Sequence, residues 1–98
     1  MRAVAVGGEL FVASFRIAGL GGVVARDGKD AIRIIEELAG DSEVGLILVS
    51  DEFGPEFAER VEQLSSTRPS PVIYLLPRPG EKPSVTDYRA LLRRILSI

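Results

Sequence analysis

Three short runs of continuous apolar residues, rich in β-branched side chains, constrain this chain more than any other feature: 3–6 (AVAV), 44–49 (VGLILV) and 72–76 (VIYLL). A strand with one wet face alternates apolar and polar side chains, whereas a strand covered by helices on both faces does not. Unbroken apolarity therefore predicts a parallel sheet buried between helical layers. A weaker run at 23–25 (VVA) supplies a fourth strand.

The intervening segments have helical spacing. Residues 10–20 carry Phe11, Phe15 and Ala18 and run into Gly19, Gly21 and Gly22, which suit a helix C-terminus. A second helix is expected over 30–39, with Ala31, Ile35 and Leu38 on one stripe, Ile32 and Ile34 beside it, and Gly40 as its stop. A third follows Gly54-Pro55, where proline suits a first turn, and places Phe57, Val61 and Leu64 on one face. This alternation predicts an α/β fold: an open four-stranded parallel sheet, order 2-1-3-4, Rossmann-like or receiver-like. The second and third helices then share one face of the sheet. The first helix stands alone on the other, which is left under-covered.

At 98 residues the chain has room for one core. We expect a globular domain over 1–76, a proline-rich linker over 77–84 (PRPGEKPS) and an amphipathic helix over 85–98. Ser84 is placed to cap that helix, with Asp87 in the capping-box position. Tyr88, Leu91, Leu92 and Ile95 form one stripe, with Arg89 and Arg93 opposite. A helix this short is marginal alone in water, so its leucines need a surface. The under-covered face of the sheet is one and a second protein is another. Residues 84–98 carry +2 within a chain of net charge −2, leaving −4 on residues 1–83. A basic arm beside an acidic body suits an intramolecular latch or an acidic partner.

The chain has no cysteine and no histidine, which excludes disulfides, thiolate metal sites, the usual zinc sites and imidazole acid/base chemistry. The near-balanced charge gives no reason to expect a nucleic-acid partner. The N-terminal MRAVAVGGEL is too short in apolar residues for a signal peptide or membrane span, so a soluble, cytoplasmic protein is expected. Gly19, Gly21 and Gly22 close a helix and lead into a strand, the reverse of a dinucleotide fingerprint. Gly7-Gly8 follows the first strand but lacks the rest of any phosphate-binding motif.

Asp51 and Glu52 follow the third strand at the sheet edge where doubly wound folds bind ligands. With Glu9 they could form a magnesium-binding carboxylate cluster like that of a phosphoryl-accepting receiver domain, and a receiver-like signalling domain is the alternative reading of the chain. Receivers, however, pair two acids after the first strand and place a lysine after a later one, where this chain has Gly7-Gly8 and Pro77-Arg78. The simpler account puts Asp51, Glu52 and Glu56 in the loop and first turn of a helix, favoured by its dipole. Glu56, Glu59 and Glu62, relieved only by Arg60, read as a solvated face that would also suit a basic partner.

Several blocks together resemble the small F subunit of the archaeal-type (A-type/V-type) rotary ATP synthase. They are the first strand MRAVAVGG, residues 14–19 (SFRIAG), 45–52 (GLILVSDE), 71–77 (PVIYLLP) and the tail from Tyr88 to Ile98. They occur in order over nearly the whole chain. That family usually has an aspartate where Gly8 stands, and the tail here stops soon after Arg94. The resemblance implies a non-catalytic rotor component that takes no cofactor. It would bind the coiled-coil D subunit of the central stalk and turn inside the hexamer of A and B subunits. It would lie in the cytoplasm, peripheral to the membrane, and modulate ATP synthesis and hydrolysis coupled to ion transport. Tyr88, Arg89, Leu91, Leu92, Arg93 and Ile95 would carry the partner contact, with Ser50, Asp51 and Glu52 as a second contact on the body.

Overall fold

In the computed structural model, residues 2–68 and 70–77 are described. The run around Leu46 to Val49 is the least exposed stretch of that region, and the rest of the fold is arranged around it. Seven elements alternate: β1 (Arg2–Gly7), α1 (Glu9–Ile17), β2 (Gly21–Val24), α2 (Gly28–Ala39), β3 (Val44–Ser50), α3 (Pro55–Thr67) and β4 (Val72–Leu76). The four strands form one sheet in the order β2-β1-β3-β4. Every neighbouring pair is parallel. The α/β architecture and strand order expected from the sequence are those observed.

Two apolar clusters occupy the two faces of the sheet. On one, Ala31, Ile34 and Ile35 of α2 and Phe57, Val61 and Leu64 of α3 pack on Val4, Val6, Ile47, Val49 and Ile73. On the other, Phe11, Val12 and Phe15 of α1 pack on Ala5, Leu46, Leu48 and Leu76. The phenylalanine rings of α1 lie 4.8 Å apart and tilted, filling the space that one short helix must cover by itself. The division of two helices against one is the one the winding requires. In β4, Val72 pairs with Leu46 and Tyr74 with Leu48, which places both on the α1 face. Val72 keeps 47% and Tyr74 39% of its surface exposed, so that face thins toward the β4 edge.

The element ends differ from the sequence expectation in physically informative ways. Helix α1 stops at Ile17, short of Leu20, because Gly19 turns to φ +96° and the Gly19 and Leu20 N–H groups donate back to Arg16 and Phe15. Gly21 and Gly22 are strand residues, not part of the helix stop. At Gly22 a Cβ would lie 2.7 Å from Val12 Cγ1, so the missing side chain is what lets α1 settle onto the sheet. Ala25 falls outside β2 but is buried and donates its N–H to Gly7 O. Helix α2 begins two residues before the expected start because Asp27 caps it, accepting the Asp30 N–H at 2.8 Å. The expected linker beyond Pro77 and the helix over 85–98, with Tyr88, Arg89, Leu91, Leu92, Arg93 and Ile95, lie outside the described residues.

Candidate functional site

All four strands point their C-terminal ends the same way, so the β1–α1, β2–α2 and β3–α3 loops gather at one edge of the sheet. Three segments meet there: Gly7-Gly8, Ser50-Asp51-Glu52 and the end of β4. Glu52 joins the first two. Its Oε2 accepts the Gly8 N–H at 3.1 Å and the Ser50 hydroxyl at 2.5 Å. Gly8 is the N-cap residue of α1 and offers no side chain to cap it, so the Glu52 carboxylate supplies negative charge at the positive end of that helix. The Asp51 N–H donates to Leu76 O at 2.9 Å and ties the β3–α3 loop to the end of β4.

This close packing needs glycine on the β1 side. A Cβ on Gly7 would stand 2.7 Å from Phe11 Cδ2 and 2.8 Å from Ser50 Cβ, and one on Gly8 would collide with Glu52 Oε1. The third turn is also constrained: Gly54 sits at φ +97°, a region L-residues avoid, and Pro55 then opens α3.

The side chains singled out in the sequence therefore have different places. Ser50 is fully buried, and its hydroxyl donates to Glu52, so it can act on a partner only by positioning that carboxylate. Asp51 and Glu52 are half-buried. Glu9 is exposed in the first turn of α1. The Glu52 carboxylate is turned to Gly8 and Ser50, and among the described residues no three His, Cys, Asp or Glu side chains are grouped to hold a metal ion.

The sequence reading missed a second polar centre, at the start of α2. The Asp30 side chain is only 6% exposed and lies against Arg26 and Arg33, at 3.3 Å and 2.8 Å. Its carboxylate also accepts the Arg26 backbone N–H at 3.0 Å. That backbone donor, followed by the two guanidinium groups, holds the Asp30 carboxyl far below the usual carboxylate range. Arg33 also pairs with Glu37. The signal lay in two acids three apart at a helix start, Asp27 and Asp30, with arginine before and after. Alongside, an open hollow of about 520 Å³ separates the starts of α2 and α3, lined by Lys29, Ile32, Phe53, Phe57 and Arg60 among others.

Helix α3 displays Glu56, Glu59 and Glu62 to solvent. The one base among them, Arg60, reaches Glu36 of α2 at 3.6 Å. No helix among the described residues is long and apolar enough to cross a membrane.

Comparison with individual curated proteins gives no match. At the level of the family the correspondence is extensive: residues 3–92, from β1 through the basic and apolar tail as far as Leu92, match the ATP synthase (F/14-kDa) subunit family. A match whose bounds take in all seven elements but the first residue of β1 places the chain in the ATP synthase (F/14-kDa) subunit family, as a component of a rotary ATP synthase.

Proposed function

We propose that the chain is a non-catalytic component of the central stalk, binding the coiled-coil D subunit and turning with it inside the hexamer of A and B subunits. In that position it modulates the coupling of ATP synthesis and hydrolysis to ion transport, and it joins the membrane-bound complex without entering the bilayer. The observation that carries this reading is the family match, which continues past β4 into the tail that bears the leucine stripe. The chemistry of the body agrees with it. The chain lacks histidine and cysteine, the residues most used for acid/base and nucleophilic chemistry near neutral pH, and Glu52 is committed to Gly8 and Ser50.

In this reading Tyr88, Leu91, Leu92 and Ile95 bury against the coiled coil, and Arg89 and Arg93 pair with acids on it. Asp51 and Glu52 make a second contact from the sheet edge, with Ser50 holding Glu52 in place. The test is co-purification of the chain with a coiled-coil stalk protein, using the full chain and one ending at residue 83. Capture of the full chain and loss on truncation, with the circular dichroism of the body unchanged, is the expected result. Failure of both forms to bind would overturn the reading.

A further inference from the structure

β4 is an edge strand, and among the described residues no other strand lies along its outer side. Edge strands leave a row of backbone N–H and C=O groups unpaired, and natural proteins usually guard them with lysine, proline or a bulge. β4, of sequence VIYLL, carries none of these, and Val72, Tyr74 and Leu75 are each more than a third exposed. Beside it runs an open groove of about 430 Å³ between the edge and α3. One row of the helix, spaced three and four residues apart, forms its outer wall: Ala58, Glu59, Glu62 and Ser65, facing Tyr74 and Leu75. Small and acidic side chains thus border an apolar floor. No basic residue among the described ones lines the groove, because Arg60 belongs to the opposite side of α3, where it meets Glu36.

We propose that the β4 edge and this groove receive an extended segment of a partner polypeptide that carries lysine or arginine. The segment adds as a further strand, its backbone pairing with β4. Side chains alternate along a strand, so one set, the basic one, lies on the α3 side and reaches Glu59 and Glu62, while the apolar set lies on the opposite face beside the exposed Val72 and Tyr74. The charge selects the partner. A second copy of this chain pairing edge to edge would set two rows of Glu59 and Glu62 near each other, a like-charge contact that disfavours it, whereas a basic strand is attracted. This surface is built from other residues than the tail stripe proposed for the stalk contact, so either proposal can fail alone.

The probe is a short synthetic peptide alternating lysine and valine, with two controls: glutamate in place of lysine, and proline in place of alternate valines. Binding to the full chain is followed by fluorescence anisotropy, and amide hydrogen exchange reports on Val72 to Leu76. The lysine peptide is expected to bind, to slow exchange in β4 and to weaken as salt rises. Binding should fall about tenfold or more in Glu59→Lys plus Glu62→Lys. The milder Glu59→Gln plus Glu62→Gln should lie between. Both positions are exposed, so circular dichroism should show the fold retained. The proline and glutamate peptides should not bind. Failure of the lysine peptide to bind, equal binding by the proline peptide, or indifference to charge reversal would overturn the proposal. So would slow exchange of β4 in the free monomer, which would make a segment of the chain itself the occupant, or a concentration-dependent dimer that the lysine peptide dissociates, which would make it a second copy.

Discussion

Glu52 reaches across the C-terminal edge of the sheet to Gly8, and the oxygen that accepts the Gly8 N–H at 3.1 Å also takes the buried Ser50 hydroxyl at 2.5 Å. One carboxylate thus satisfies two donors, the N-cap residue of α1 and the last residue of β3. Removing it in Glu52→Ala strands the Ser50 hydroxyl in a site with no exposure, a loss of about 1–3 kcal/mol. Ser50→Ala alone should cost about 1 kcal/mol. The double variant should lose clearly less than the two single losses added, because the hydroxyl that suffers in Glu52→Ala is gone. Urea unfolding of the four proteins measures this, and strict additivity would show that the two side chains are not coupled.

Two glycines of the sheet should respond to alanine in opposite ways. At Gly7 the new methyl would press on Phe11 and Ser50, both fully buried, and overpacking of this kind costs about 1–3 kcal/mol. At Gly21, in the edge strand β2, a Cβ meets nothing within 4 Å and the backbone φ is not positive. Gly21→Ala should therefore leave the native state unstrained and stabilise it by about 0.4–1 kcal/mol through the unfolded chain. Unfolding midpoints that fall for both variants would contradict this account of β2.

These positions also show how much could be read from sequence. The central strand was legible because VGLILV has no polar interruption, as a strand covered on both faces allows, and the order followed from the alternation with helices; VIYLL has the same pattern but lies at the edge, with Val72, Tyr74 and Leu75 each more than a third exposed. The pairing of α2 with α3 on one face followed from the winding. What sequence did not supply was contact between residues distant in the chain. Gly8 reads as a departure from the family pattern, a missing carboxylate. In the fold, Glu52 brings a carboxylate to that place from 44 residues away. Gly22 reads as part of a helix stop because its role is set by Val12, packed above it from another element. Asp30 reads only as the first residue of the expected second helix, since its contacts with Arg26 and Arg33 depend on how the β2–α2 loop folds.

Asp30 gives the body an acid-sensitive contact. The Arg26 N–H, then the Arg26 and Arg33 guanidinium groups, hold its folded-state pKa far below the value of roughly 3.9 expected in the unfolded chain. A depressed carboxyl pKa contributes stability that is fully present above the unfolded value. It is lost progressively as pH falls below that value toward the folded one. Asp30→Asn removes the titration, so the variant should be less stable at neutral pH yet lose less on going from about pH 5 to about pH 2. Thermal unfolding across that range decides the point. Parallel pH profiles for the two proteins would mean that Asp30 does not carry the acid dependence.

The stalk reading makes a prediction that separates docking from folding. In the described body twenty buried apolar residues, from β1 to β4, make up the two clusters on the faces of the sheet. If the tail stripe serves docking and not the core, urea unfolding of Leu92→Asp plus Ile95→Asp should retain the wild-type midpoint. On a coiled-coil partner the same two changes place charge where apolar surface is buried, and burying an unpaired charge opposes association strongly. Co-purification with the stalk protein should then fall at least tenfold while the body stays folded, a loss of at least about 1.4 kcal/mol in binding. Wild-type assembly by this variant would remove the leucine stripe from the contact and leave the sheet edge at Asp51 and Glu52 as the surface to test next.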